Sequence, residues 1–319
     1  MIDTVRIEVQ GTWNSDPFAG PIKAPQTEHG SFHSFEVYAN DRKHRKGTCQ
    51  QAEGEPNVFA FDNFTGVRVE GDREGPQWVE ASLPRLVFPS NGILLTRDED
   101  ISRALQVLRQ QVGLLVSNLR LGRLRRVDLC WQVEVDPLAY LRAASGLSWG
   151  LNRGTPQVYP GESVTWKSAG SSLCLYDKGL EACKEAGGPL RVEVRFKTKS
   201  ECMLHKLIAC DDLTMAGCYP LFRAEVLKLP AVRLVDRNTL RGAPKLAGFL
   251  ALLEQSGSRV GDEGAAEWYL SRVSSSARRR LRAEMARQRG LGWQEVDWAV
   301  LLPESGPPEA VHSPRLIAV

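Results

Sequence analysis

The amino-acid sequence predicts an α+β fold, in which helices pack on a central, mostly antiparallel sheet and a mainly helical C-terminal region follows. Three observations support this fold class. Short runs with the two-residue period of strands fill the first two thirds of the chain. One long run with helical spacing interrupts them. After about residue 206, helical spacing replaces the strand pattern.

The N-terminal part alternates short apolar runs with turns rich in Gly, Pro, Asn and Asp. The runs predict strands at Ile2–Val9, Ser34–Ala39, Asn57–Phe61, Val67–Glu70 and Trp78–Leu83. A helix is predicted to begin at Asp98 or Asp100, because apolar residues follow at helical spacing as far as Leu115. Gly122 marks the end of the region that contains this helix. The remaining pattern predicts strands at Leu124–Val135, Ser163–Trp166, Ser172–Tyr176 and Leu190–Lys197, with a short helix at Lys178–Lys184.

The last third of the chain differs in composition. Leu240–Gln255 and Ala265–Arg289 have helical spacing, and Pro303 to Pro314 forms a Pro-rich tail. We therefore predict two domains, residues 1–206 and residues 207–319.

Composition and charge favour a globular protein with basic patches. Hydrophobic residues make up 42% of the chain and charged residues 25%, which is ordinary for a folded protein. The net charge of +3 is too small to identify a partner, but arginines cluster. Six lie between Arg103 and Arg126 without an acidic residue, and seven lie between Arg272 and Arg289 against one acid, Glu284. Such clusters suit phosphate, although a basic helix face is often only solvated.

Cysteine usage and hydropathy indicate the compartment. The seven cysteines are odd in number and include no Cys-x-x-Cys pair, as expected of reduced thiols. The N-terminus has no signal-like apolar region, and no apolar run approaches membrane-spanning length. These features predict a cytoplasmic protein that does not bind membranes.

Two predicted strands carry charged residues among apolar neighbours. Asp128 lies in mid-strand, where a carboxylate is costly unless it is paired with an arginine or bound to a metal. In the other strand, Arg191, Glu193, Arg195 and Lys197 share one face. That face is suited to phosphate and a divalent ion, or it is an ordinary exposed strand face.

A third segment carries a candidate nucleophile. Tyr176 ends an apolar strand, and Lys178 and Glu181 follow it. A tyrosine with a pKa of about 10 needs a nearby cation, metal or base to act as a nucleophile. Lys178 would supply that charge; the alternative is a strand-end tyrosine whose ring packs and whose hydroxyl reaches water.

Several segments together resemble the gene II/gene X replication proteins of filamentous phages, which belong to the rolling-circle and mobilisation initiators. The ordered set covers roughly residues 1–205 and the order, more than any single piece, carries the resemblance. Its pieces are Met1-Ile2-Asp3, Val79-Glu80-Ala81-Ser82, Arg126-Val127-Asp128, Ser163-Val164-Thr165-Trp166, Tyr176-x-Lys178-x-x-Glu181, Leu190–Arg195 and Lys197-Thr198.

The resemblance implies roles for individual residues. Tyr176 is the nucleophile and Lys178 its neighbouring cation. The family is a diverged relative of nicking enzymes that bind a divalent ion through a His-hydrophobic-His pair, and this chain has no such pair. Carboxylates would then hold Mg²⁺ or Mn²⁺: Asp128 and Glu193 first, then Glu80 and Glu181. The expected DNA-binding residues are Arg126, Arg191, Arg195 and Lys197, within the resembling segments, and Arg278, Arg279, Arg280 and Arg282, from the C-terminal arginine cluster, which the resemblance does not cover.

The implied function is site- and strand-specific nicking of origin DNA through a 5′-phosphotyrosyl intermediate, which starts rolling-circle replication. Duplex and single-stranded origin DNA are the expected partners, together with a host helicase and polymerase. The alternatives are a non-nicking origin-binding regulator of the same fold and a mobilisation relaxase. We expect Asp128, Glu193 and the hydroxyl of Tyr176 to converge on one cleft.

Overall fold

The computed structural model describes residues 1–14, 22–23, 34–40, 57–62, 66–72, 74–88, 92–145, 147–150, 156–183, 188–235, 274–276, 278–280 and 293–307. The strands are β1 (Ile2–Trp13), β2 (Ile22–Lys23), β3 (Ser34–Asn40), β4 (Asn57–Asp62), β5 (Arg68–Gly71), β6 (Pro76–Ser82), β7 (Val116–Val133), β8 (Gln157–Tyr159), β9 (Ser163–Lys167), β10 (Ser171–Asp177), β11 (Leu190–Phe196), β12 (Val232–Val235) and β13 (Trp293–Val296).

The helices are α1 (Leu83–Val87), α2 (Asp98–Leu115), α3 (Pro137–Ala144), α4 (Lys178–Cys183), α5 (Lys199–Leu204), α6 (Met215–Val226) and α7 (Trp298–Leu301). A 3₁₀ turn spans Cys210–Asp212. Strands joined in antiparallel pairs, with helices between them, confirm the predicted α+β class. Among the described helices, none has the length and apolar character needed to cross a membrane.

The chain forms two compact units. The first contains residues 1–130 and 194–222, and the second contains residues 131–193 and 223–313, so β7 and β11 contribute residues to both. The domain boundary predicted near residue 206 stays a prediction. Most of the two predicted C-terminal helices, Leu240–Gln255 and Ala265–Arg289, and part of the predicted tail, Pro303 to Pro314, lie outside the described residues.

In the first unit the strands are hydrogen-bonded in the order β2-β3-β4-β5-β6-β1-β7-β11. Alternation gives β1 one buried apolar side, with Val5, Ile7 and Val9, and one half-buried polar side, with Arg6 and Glu8. α1 packs against β1 and α2 packs against α1. α2 buries one apolar stripe, formed by Ile101, Ala104, Leu105, Leu108, Val112 and Leu115.

The start of β7 differs from the prediction. The strand begins at Val116, directly after α2, and not near Leu124. Its first part pairs with the end of β1, where Trp13 is opposite Val116 and Gln10 is opposite Arg120. Pairing with a neighbouring strand therefore extends β7 through a polar stretch that has no strand pattern of its own.

In the second unit the strand order is β7-β11-β10-β9-β8. α3 packs on β9 and β10. Trp166 and Leu173 are buried, and the indole of Trp166 donates a hydrogen bond of 2.9 Å to the carbonyl of Leu147. This packing fixes β10, the strand that ends with Tyr176, against the apolar core of the unit.

Candidate functional site

The hydroxyl of Tyr176 and the carboxylate of Glu193 form the centre of the candidate site in the second unit. Tyr176 is the sixth residue of β10, one residue before the strand ends at Asp177, and is half-buried. Its hydroxyl donates a hydrogen bond of 3.1 Å to Oε2 of Glu193. Glu193 lies in β11, the strand next to β10, and is 3% exposed. A hydroxyl bonded to a buried carboxylate can transfer its proton to that carboxylate.

Lys178 places a buried positive charge beside the same ring. Its Nζ atom lies 5.9 Å from the centroid of the Tyr176 ring, and its side chain is fully buried. An ion pair with Glu181, one helical turn later in α4, accompanies the buried ammonium group. An ammonium group within about 6 Å of a ring centroid makes a cation–π contact with the ring.

Asp177 holds the turn that connects Tyr176 to Lys178, and it was not predicted as a site residue. Its Oδ1 atom accepts hydrogen bonds from the backbone amides of Gly179 at 2.9 Å, Leu180 at 3.2 Å and Gly188 at 3.2 Å. The carboxylate is 3% exposed, so these amides take the place of water. The sequence carried a signal for this role, since an aspartate directly before a helix commonly accepts bonds from the first amides of that helix.

Gly188 is required at this turn by close contact. A Cβ atom at position 188 would lie 2.3 Å from the nitrogen and 2.6 Å from the Cα atom of Gly179. Only glycine allows the segment before β11 to approach α4 so closely. Asp177 and Gly188 together fix the backbone on both sides of Lys178.

The first unit contains a separate charged cluster around Asp128. Asp128 is 1% exposed and receives two hydrogen bonds from Arg126, Nε to Oδ1 at 2.8 Å and Nη2 to Oδ2 at 2.5 Å. Arg195 lies 3.9 Å from Oδ2, and Glu80 lies 3.8 Å from Nη1 of Arg126. The hydrogen bond to Asp128 raises the pKa of Arg126. The structure therefore shows Asp128 paired with an arginine.

The described residues do not fit a preassembled metal site. Within them, no three His, Cys, Asp or Glu side chains form a group that could hold a metal ion. Both oxygens of Asp128 are bonded to Arg126, so a cation bound there would share the carboxylate with the guanidinium. The requirement for Mg²⁺ or Mn²⁺, with Asp128, Glu193, Glu80 and Glu181 as ligands, stays a prediction. So does the convergence of Asp128 with Tyr176 and Glu193.

The predicted DNA-binding residues differ in their access to solvent. Arg191 is fully buried, so in this structure its guanidinium is not at the surface, contrary to what a DNA contact requires. Arg126, Arg195 and Lys197 are half-buried. In the C-terminal region Arg278 is half-buried, Arg279 and Arg280 are exposed, and Arg282 lies outside the described residues.

The chain is similar to a protein of known structure, at low sequence identity. No family model matches the chain, and no curated protein matches it. A rolling circle replication initiator protein from Geobacillus stearothermophilus is similar over 67% of this chain and 79% of its own, at 10% identity and a TM-score of 0.30. Similarity at this level assigns no function to the chain.

Proposed function

We propose that the chain is a tyrosine-dependent DNA-nicking and strand-transfer enzyme that starts rolling-circle replication. The observation that carries the proposal is the hydrogen bond from the Tyr176 hydroxyl to the buried Glu193 carboxylate, with the buried ammonium group of Lys178 beside the ring. A nucleophile, a proton acceptor and a stabilising cation are the groups that attack on a phosphodiester needs.

The proposed step is an in-line displacement at one phosphorus atom of single-stranded DNA. The phenolic oxygen of Tyr176 forms a bond to phosphorus while the bond from phosphorus to the 3′ oxygen breaks. Glu193 takes the phenolic proton, and the departing 3′ oxygen takes a proton from water. The products are a 5′-phosphotyrosyl link and a free 3′-hydroxyl, from which a polymerase can extend.

Lys178 supports this step through charge. Negative charge builds on the phosphoryl oxygens and on the phenolic oxygen during attack, and a cation fixed in a buried position stabilises that charge without reorganising. The covalent link conserves the energy of the phosphodiester. A 3′-hydroxyl can therefore attack the phosphotyrosine later, reform the DNA backbone and release Tyr176 without ATP.

The arginine-rich segments fit a DNA substrate. Arg279 and Arg280 are exposed and belong to the cluster of seven arginines between Arg272 and Arg289. Such residues contact phosphates independently of sequence, and binding through them weakens steeply as salt increases. Because a nicking enzyme must open the duplex to reach its target, phosphate contacts of this kind would offset the cost of unpairing.

The experiment that tests the proposal is a nicking assay on supercoiled DNA carrying the cognate origin, with Mg²⁺, with Mn²⁺ and with a chelator. Wild-type protein should convert supercoiled DNA to the open-circular form, and Tyr176→Phe should not, because the variant lacks only the attacking oxygen. Tyr159→Phe is the matched control, since Tyr159 is an exposed tyrosine of the same unit, on β8. Equal nicking by wild type and Tyr176→Phe would exclude Tyr176 as the nucleophile. Binding without nicking by the wild type in all buffers would favour the origin-binding regulator.

A further inference from the structure

One surface of the first unit carries arginine and tryptophan side chains together. Arg6 of β1 is opposite Glu80 of β6, and Arg68 of β5 is opposite the same Glu80. Trp78 lies two residues before Glu80 on β6, so its side chain points to the same side of the sheet. We call Arg6, Arg68, Trp78 and Glu80 the arginine–tryptophan surface.

Two guanidinium groups of this surface lie close to one indole. The Cζ atom of Arg6 is 3.2 Å from the centroid of the Trp78 ring, which is close stacking distance. The Cζ atom of Arg68 is 5.7 Å from the same centroid. A guanidinium against an indole is a favourable cation–π contact, and the two planar groups make a platform of the kind on which a third flat group stacks.

Arg6 is a cation that no contacting anion neutralises. Among the described residues its contact is with Trp78, and its guanidinium makes neither a hydrogen bond nor an ion pair. Burial lowers the pKa of Arg6. The carboxylates of Glu80, its partner across the strand pair, and of Glu70 act in the opposite direction, while Arg68 and Arg126 add to the lowering. Partial desolvation of a cation without a paired anion is costly, and an anionic ligand would offset that cost.

We propose that Arg6 and Trp78 form a stacking subsite for an unpaired base of single-stranded DNA. Arg68, which pairs with Glu70 at 3.5 Å, borders the subsite. The subsite rests on the proposed function, because its ligand is the strand that the enzyme would cut. Unpaired bases offer a flat face of any sequence, and the phosphates beside them could give Arg6 the hydrogen-bonded anion that it does not have among the described residues. Base pairs in a duplex are already stacked on each other, so duplex DNA does not offer such a face.

The test measures affinity for a fluorescein-labelled oligothymidylate and for an abasic oligonucleotide of the same length, by fluorescence anisotropy in a chelating buffer. The proteins carry Tyr176→Phe, so that cleavage cannot contribute. Trp78→Ala should weaken binding to oligothymidylate by roughly 5-fold to 150-fold, the range found for loss of one stacked base. It should leave binding to the abasic strand unchanged. Arg6→Lys, which keeps the charge and loses the plane, should also weaken binding to oligothymidylate more than to the abasic strand.

Two further variants keep the test decisive. Trp78→Phe retains a smaller ring in case Trp78→Ala does not fold, and it should fall between wild type and alanine. Arg97→Ala is the matched loss of charge, because Arg97 is a 70% exposed arginine at the start of α2; it should affect both oligonucleotides equally.

Unchanged affinity of folded Trp78→Ala for oligothymidylate would overturn the subsite. So would equal losses on the two oligonucleotides, which would indicate phosphate contacts alone. Nicking is not measured here, so the subsite and the proposed function fail separately. If Trp78→Ala weakens binding to oligothymidylate and the wild-type protein never nicks DNA, the subsite is supported and the proposed nicking activity is not.

Discussion

The hydroxyl of Tyr176 donates a hydrogen bond of 3.1 Å to Oε2 of Glu193. Seventeen residues separate the two in sequence, and the neighbouring strands β10 and β11 bring them together. A tyrosine hydroxyl that only packs at a strand end does not need a buried carboxylate as its acceptor. The pair gives Tyr176 a proton acceptor within reach before any substrate binds.

Glu193→Gln should slow DNA cleavage without loosening DNA binding. The amide keeps the shape of the side chain and can still accept a hydrogen bond, but it cannot take the phenolic proton. The loss should be about 10²-fold to 10⁴-fold, as expected for removal of a general base. Single-turnover cleavage rates, measured beside the affinity for the DNA, check the role. A cleavage rate equal to that of the wild type would remove Glu193 as the base.

Lys178→Met should reduce cleavage and leave it measurable. Methionine keeps most of the buried stem and removes the charge beside the Tyr176 ring, so the expected loss is about 10²-fold to 10³-fold. Lys228→Met is a control for the ion pair and the ring contact: Lys228 also pairs with a glutamate three residues away, Glu225, and lies 5.7 Å from the Trp149 ring, but its side chain is 46% exposed. Single-turnover cleavage rates of both variants give the comparison. A similar loss in the two would mean that Lys178 acts through stability alone.

Asp177→Ala should destabilise the fold and slow cleavage together. The substitution leaves three backbone amides without their carboxylate acceptor, and such a loss costs about 1–3 kcal/mol for a buried group. Asp177→Asn keeps an oxygen acceptor and should recover most of the stability. Denaturant unfolding measures the first effect and the nicking assay the second. If Asp177→Ala unfolds at the same denaturant concentration as the wild type, Asp177 does not hold this turn.

The stability that Glu8 gives to the first unit should be lost in acid. Hydrogen bonding by Lys199, followed by attraction from Arg125, lowers the pKa of Glu8 in the folded chain. A carboxylate with a lowered folded pKa stabilises the fold fully above its unfolded pKa, and that contribution is lost as pH falls through the folded value. Glu8→Gln should therefore lower the unfolding temperature at neutral pH and have a shrinking effect below about pH 4.5. A temperature difference that stays constant into strong acid would contradict this role.

Much of the sheet could be predicted because its strands carry their own pattern. Ile2–Val9 alternates as β1 does, and the residues of β3, β4, β9 and β10 were predicted to within one residue at each end. The start of β7 could not be predicted in this way, since its polar first part is a strand only because β1 pairs with it. α3 was missed although Asp136 and Pro137 are a typical helix start; Asp136 accepts a bond from the amide of Ala139.

The site was predictable in its residues and less so in its pairings. The Tyr-x-Lys-x-x-Glu spacing gave Tyr176, Lys178 and Glu181, and local helix geometry explains the Lys178–Glu181 pair. The partner of Asp128 remained open in the sequence because an arginine and a metal satisfy a buried carboxylate equally well. Arg191, which was predicted to contact DNA, is fully buried, and its burial depends on neighbouring strands that the local pattern does not specify.

The most direct measurement is peptide mapping of a covalent protein–DNA adduct. Wild-type protein is incubated with a random-sequence single-stranded library, which removes the need to know the cleavage site, and denaturing electrophoresis isolates protein that carries DNA. Digestion and mass spectrometry should then place a 5′-linked nucleotide on Tyr176, with no adduct from Tyr176→Phe. An adduct on Tyr38, Tyr140, Tyr159, Tyr219 or Tyr269, or persistent adduct formation by Tyr176→Phe, would contradict the assignment of Tyr176 as the nucleophile.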